Sequence, residues 1–201
     1  MTSRSLAFLV LLWLGGCIHG APGLCGDALE RRIAQDIRIV DAGERVDATT
    51  DENARTPEQR HAVAQADAIM NAHDRVVDAS DLAILDHTLA LITTEGQWNR
   101  ADTRQCDPAD TKFTLFCALQ KASIDVLGQY EHRRAALQEV RFAVEEATVG
   151  RQYEHRLRDF NNDPQTTLAN LRSVVVIARQ RVAARLRDEQ QRCLGQPSPR
   201  R

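Results

Sequence analysis

Two histidines and a carboxylate are the residues of this sequence best suited to proton transfer. His132 and His155 lie inside two copies of the pentapeptide QYEHR, at 129–133 and 152–156, which also hold the two tyrosines, Tyr130 and Tyr153. Asp159 stands four residues after His155, the spacing at which a carboxylate on one helix face can orient an imidazole for general-base work. The same spacing also describes an ordinary surface pair, and no GxSxG elbow surrounds the hydroxyls Ser123 or Thr111. Each pentapeptide follows a glycine, Gly128 or Gly150, which predicts that both occupy first helical turns, where the dipole favours glutamate. Were those turns to face one another, His132, His155, Glu131 and Glu154 would approach a metal-ligand set. Two facing helix N-termini, however, raise the local positive potential and oppose a cation. The flanks of the copies diverge after the fifth letter, so they do not form an internal repeat.

A second group sits in the stretch EGQWNRADTRQCDPAD, the longest without periodicity. Trp98, Asn99 and Arg100, followed by Asp102 and Arg104, offer an indole face, an amide and guanidinium forks, groups that suit an anionic or sugar-like ligand. The structural alternative, favoured here, makes Trp98 a lid over the core. Together with Tyr130, Tyr153 and Arg156, the residues Trp98, Asn99 and Arg100 are the ligand-binding candidates. In DFNNDPQTTLAN, Asp159, Asn161 and Asp163 occupy the first, third and fifth positions of a calcium loop. Pro164 and Asn170 then stand where glycine and a bidentate glutamate are required, so an Asx turn leading into a helix is expected instead. HExxH, the Walker loop and the dinucleotide fingerprint are absent. No cofactor and no metal site is expected.

These side chains must be positioned by helices. Apolar residues recur at helical spacing almost throughout, and no stretch alternates long enough for a strand, so the expected fold is all-α, a single-domain, disulfide-tied bundle of six or seven helices. Leu29, Ile33, Ile37 and Val40 mark a first helix over about 26–46. Thr56, Pro57 and Gln59 form a capping-box signature that opens a second, reaching about residue 77. Leu82, Leu85, Leu89 and Ile92 mark a third. Residues 112–127 are apolar on nearly every side and read as the most buried helix. Helices over about 130–147, around Leu157 and Phe160, and over about 167–191 complete the bundle. Aromatic residues make up only 4% of the chain, so the core must be built from Leu, Val, Ile and Ala. A net charge of −2 argues against nucleic acid as a partner.

The ends of the chain bear on location. Arg4 precedes an apolar run from Leu6 to Leu14, the layout of a secretory signal; as a helix this run rises only about 13 Å, too short to span a bilayer. Its end, Leu14-Gly15-Gly16-Cys17, resembles the lipobox of bacterial lipoproteins. The resemblance implies acylation of Cys17, a partner in outer-membrane lipid and, with Ile18 rather than aspartate following, outer-membrane sorting facing the periplasm. Cleavage near Gly20 or Ala21, giving a soluble periplasmic or secreted protein, is the competing layout. An odd count of five cysteines favours the lipobox, since acylating Cys17 leaves four for pairing. Residues 26–81 are acidic and 172–201 arginine-rich, which predicts that the first and last helices pack antiparallel. That packing brings Cys25 to Cys193 and leaves Cys106 to pair with Cys117.

The expected organisation is a signal peptide over 1–16, a lipidated tether over 17–25, one helical domain over 26–193 and a disordered tail over 194–201. The function expected is that of a non-catalytic binding or envelope-assembly component, with an envelope protein as a further partner. A periplasmic hydrolase-like enzyme built on His132, His155 and Asp159, with Trp98 and Arg100, is the alternative. A metal-binding periplasmic protein is a second.

Overall fold

The computed structural model describes residues 22–195, with side chains over 27–194. The segment expected to be a signal peptide, Cys17, the side chain of Cys25 and the tail from residue 196 lie outside the described residues. Within them the chain is an all-α single domain of seven helices: α1 (Pro22–Thr49), α2 (Pro57–Met70), α3 (Ala79–Leu91), α4 (Leu115–Leu127), α5 (Ala135–Ala147), α6 (Arg156–Asn162) and α7 (Leu168–Gly195). Leu194 and Gly195 therefore continue α7 rather than beginning the expected tail.

Helix starts follow from local chemistry. Thr56 Oγ1 accepts the Gln59 N–H at 3.2 Å while Gln59 Oε1 accepts the Thr56 N–H at 2.8 Å, with Pro57 at the first helical position. This is the predicted capping box, which satisfies two otherwise orphaned donors. A second box, not anticipated, explains why α2 stops at Met70 instead of running to 77. Asp78 Oδ1 accepts the N–H groups of Ser80 and Asp81, and Asp81 Oδ2 accepts the Asp78 N–H at 3.1 Å. The extended backbone of Asp78 is incompatible with a helix continuing through Val77.

Both pentapeptides also differ from expectation. Residues 129–133 precede α5, and only Arg156 of the second copy is helical. Ser123 on α4 holds the first copy out of the helix: its hydroxyl donates to the Gln129 carbonyl at 3.3 Å and accepts the Glu131 N–H at 3.0 Å. Gly128, at φ 76°, supplies the left-handed residue that ends α4 and directs the chain into this loop.

The core is assembled from Leu, Val, Ile and Ala, among them Ile84, Leu85, Leu119, Leu137, Val140, Leu171 and Val175, all essentially inaccessible. Fully burying each such aliphatic side chain contributes about 1.5–3 kcal/mol. α5, not α4, is the most buried helix, since Gln138 and Glu139 are enclosed along with its apolar face. Its polar residues are tolerated because α7 supplies partners: Arg185 reaches Glu139 at 2.6 Å.

Charge pairing also takes a route other than the expected one. Among the described residues, α1 packs on α2, while α7 packs on α5 and α3. The broad antiparallel face expected between first and last helices does not form there. The arginines of α7 find their counter-charges nearer at hand, Arg179 on Asp86 of α3 and Arg181 on Glu146 of α5. Arg172 donates to the carbonyls of Leu89 and Ile92, placing a cation at the C-terminal end of α3, where the dipole is negative. The α1–α2 contact depends on Gly43, where an added Cβ would lie 2.3 Å from the Ala66 Cβ. Cys106 and Cys117 are joined by the predicted disulfide. Cys193 is disulfide-bonded as well; its predicted partner, Cys25, lies outside the described side chains.

Candidate functional site

The loops carrying the two pentapeptides converge on one cleft of about 420 Å³. His132 comes from the first copy, and Glu154, His155 and Arg156 come from the second. Glu44 of α1 and Asp67, Met70 and Asn71 at the end of α2 form the opposite wall. Arg104, Phe116, Gln138 and Arg141 line the remainder, with Leu157 and Arg158 of α6.

The histidines share this cleft, but neither belongs to an oriented catalytic dyad. His132 Nε2 lies 3.4 Å from Glu44 Oε2, and Arg133 Nη1 stands 3.5 Å from its Nδ1. His155 Nε2 lies 3.9 Å from Glu154 Oε1, beyond hydrogen-bond reach. Asp159 does not orient the His155 ring as its spacing suggested. Its Oδ2 accepts the backbone N–H of His155 at 2.8 Å and its Oδ1 accepts from Arg158 Nε at 2.8 Å, so this carboxylate anchors the start of α6. Burial opposes its ionisation, but those donors outweigh burial and hold the carboxyl below its ordinary range. Ser123 is committed to holding the loop and does not face a base. Among the described residues no group of three or more His, Cys, Asp or Glu side chains is placed to hold a metal ion.

The Trp98 group lies elsewhere and is closed. The indole is 4% exposed and donates from Nε1 to Asn161 Oδ1 at 2.8 Å. The same oxygen accepts the Leu115 N–H at 3.0 Å, and Asn161 Nδ2 donates to the Asn99 carbonyl at 3.0 Å. Arg100 stacks 4.3 Å over the indole and donates to the carbonyls of Asp163 and Pro164. Trp98, Asn99 and Arg100 thus fasten the 93–114 loop to α6 and do not line the cleft. The hydroxyl of Tyr153 is likewise engaged with Asp163 at 2.7 Å. Asp163 Oδ1 accepts the Gln165 N–H at 2.8 Å, the expected Asx turn, and Asn170 caps α7 through Thr167. Tyr130 packs edge-on against Phe116 at 6.1 Å and lies 6.0 Å from His132, and is not among the residues lining the cleft.

Two arginines outside the pentapeptides define the electrostatics. Arg141 donates to the His132 carbonyl and to Gln138 Oε1, both at 3.1 Å, and among the described residues it has no carboxylate partner. Burial pulls this guanidinium below the usual arginine range; Tyr130 and the Glu44 carboxylate act against that, while Arg156 and Arg104 push the same way. Arg104 has no carboxylate partner either, and its guanidinium lies 5.9 Å over the Phe116 ring. It adopts φ 62°, the left-handed region, in a turn closed by its N–H donating to Asp102 Oδ1 at 2.7 Å. A non-glycine residue held there is strained by about 1–2 kcal/mol, and such strain collects at binding sites. The positions of Leu137, Val140 and Val144 offered a signal for Arg141: it falls beside that stripe, a charge on the buried side of a helix. No feature of the sequence marked Arg104 above its neighbours.

The fold and cleft define a helical bundle with an arginine-rich, open cleft and, among the described residues, no assembled catalytic dyad. The chain belongs to the family of unknown function DUF6197, whose model matches residues 76–185. No curated protein and no solved structure matches it. The matched segment carries α3 to α6 and most of α7, with Arg104, His132, Arg141 and His155; the α1–α2 wall of the cleft lies before it.

Proposed function

We propose that this protein is an exported bacterial lipoprotein, held to the outer membrane through acylated Cys17, that works as a non-catalytic binding component of the envelope. The reading is carried by the cleft where the two QYEHR loops meet. It gathers guanidinium, imidazole and amide groups in one concave site, and two of its carboxylates, Glu44 and Glu154, pair with Arg133 and Arg158. Open polar concavities with convergent donors are the common form of a small-ligand site. The Cys106–Cys117 disulfide suits an oxidising compartment, and the LGGC segment supports the anchor. No helix among the described residues is long and apolar enough to cross a membrane, so attachment would rest on the lipid. Replacing Cys17 with Ser and following an acyl label tests this directly. Labelling and membrane fractionation should both be lost; a Cys17→Ser chain still labelled would refute the anchor.

A further inference from the structure

We infer that the cleft is a binding site for a phosphomonoester on a small hydroxylated carrier, held chiefly by Arg141 and Arg104. The inference rests on the binding role proposed above and names its ligand class.

The charge arrangement carries the argument. Arg156 is matched by Glu145 at 3.2 Å and Arg158 by Asp159 at 2.8 Å, so both are largely neutralised. Of the lining carboxylates, Glu44 is held by Arg133 and lies 3.4 Å from His132, and Glu154 lies 3.7 Å from Arg158. Among the described residues Arg141 and Arg104 remain as two guanidinium charges in no ion pair with a carboxylate; Arg141 feels the repulsion of Arg156 and Arg104, offset only in part by Glu44, which Arg133 already holds. Like charges converging in a partly desolvated site are unfavourable on their own and become favourable when an anion sits among them. Two unmatched cations suit a dianion, the charge state a phosphomonoester approaches at neutral pH.

Geometry favours phosphate over carboxylate. The donors come from separate elements, with Arg104 on the strained loop, Arg141 on α5, and His132 and His155 on the two pentapeptide loops. A tetrahedral group with three terminal oxygens can meet donors so distributed, whereas a planar carboxylate is satisfied by one guanidinium fork. Across the cleft, Asp67 has no ion pair among the described residues and stands beside Asn71. This carboxylate and amide suit the hydroxyls of a polyol or sugar and would repel a second anionic group, which places the phosphate end against α5.

The shared chemistry fits a free sugar or glycerol phosphate and also a phosphorylated lipid headgroup. Calorimetry on the purified chain with glycerol 3-phosphate, inorganic phosphate, succinate and glycerol, paired with sedimentation on phosphatidic-acid against phosphatidylcholine vesicles, tests both sources. We expect one glycerol 3-phosphate per chain, bound at least ten-fold more tightly than succinate or glycerol. Arg141→Met should weaken binding at least ten-fold and Arg104→Gly several-fold, with the fold retained in both. Asp67→Asn should weaken glycerol 3-phosphate but not inorganic phosphate. Sedimentation with phosphatidic acid alone, abolished by Arg104→Gly, would also support the site and assign it to a headgroup. Succinate bound as tightly as phosphate and lost in Arg141→Met would overturn the phosphomonoester while leaving the cleft a binding site. Phosphate binding unchanged in both arginine variants would overturn the cleft as well. Release of inorganic phosphate from glycerol 3-phosphate would retain the ligand class and overturn the non-catalytic role.

Discussion

Arg134, at the N-cap of α5, and Arg141, about two turns into the same helix, place one functional group in opposite surroundings. Arg134, 7% exposed, is clamped by Asp78 at 2.5 Å and Asp81 at 2.8 Å, and Asp81 also accepts the Ala136 N–H at 3.0 Å. Every one of these partners belongs to the fold. Among the described residues Arg141 hydrogen-bonds only a carbonyl and an amide, and it lines the cleft. The Trp98–Asn161 cluster behaves like the first, its donors and acceptors satisfied internally, although its composition had suggested a ligand site. A polar group whose partners are all internal serves folding, whereas one whose charge remains unmatched beside open space is available to a ligand. Residue type does not separate the two cases, but pairing does.

The comparison can be broken from its closed side first. Arg134→Met strands Asp81, which is 1% exposed, and removing one partner of a buried pair costs about 3–5 kcal/mol. Urea denaturation should show a loss of that size, and a loss below about 1 kcal/mol would mean that the pair is not a structural clamp. Asn161→Leu leaves the Trp98 Nε1–H and Leu115 N–H without their acceptor. At about 1–3 kcal/mol for each buried group left unsatisfied, the expected cost is about 3 kcal/mol, with a red shift of tryptophan emission as the loop loosens.

Removing the Cys106–Cys117 bridge by a double Cys→Ser replacement should cost about 2–3 kcal/mol, given its short closed loop. The effect extends to the open side, because Arg104 stands two residues before Cys106 and loses its tether. Proteolysis near Arg104 should quicken; an unchanged cleavage pattern would show that the turn at Asp102 suffices alone.

The smallest effect concerns pH. The Gln165 N–H, the Tyr153 hydroxyl and Arg151 hold the Asp163 carboxyl below its ordinary 3.8. A carboxyl depressed in the folded state contributes stability that is present above its unfolded value and lost as pH falls through the folded one. Asp163→Asn should therefore flatten the loss of stability on acidification below 3.8. Parallel acid limbs for variant and wild type would remove Asp163 from the account.

The distinction between the two arginines also explains what the sequence made legible. Helix identity was readable because Leu137, Val140 and Val144, or Leu171, Val175 and Val182, repeat at helical spacing and all are buried. The box at Thr56 was readable because proline and glutamine flank it, whereas the one at Asp78 was hidden by Val77, an apolar residue that prolonged the apparent stripe of α2. Both pentapeptides were placed one turn too deep in helices: the first is held out by Ser123, a hydroxyl on the preceding helix, and in the second the Asp159 carboxylate takes the His155 N–H, so that α6 starts only at Arg156. His132, His155 and Arg156 were identified as candidates and do meet in one cleft. Trp98 and Arg100 were ligand candidates as well, although a lid over the core was the favoured reading, and the buried indole gives its N–H to Asn161, far along the chain. Arg141 was passed over although the α5 stripe marks it as a charge on the buried side, because its partners, the His132 carbonyl and Gln138, are not read from that stripe. Long-range partners decide each of these cases, and spacing within one helix does not reveal them.

The central claim is that Arg141 is held for a ligand and Arg134 for the fold. Thermal melting of the wild type, Arg141→Met and Arg134→Met, each with and without glycerol 3-phosphate, tests it in one experiment. A ligand that binds only the folded state adds about 2.7 kcal/mol at a hundred-fold excess over its dissociation constant, a rise of a few degrees. The account predicts that rise for the wild type, a folded Arg141→Met chain that no longer shows it, and an Arg134→Met chain that melts far lower. It is contradicted if Arg141→Met retains the full rise, or if it loses as much stability as Arg134→Met.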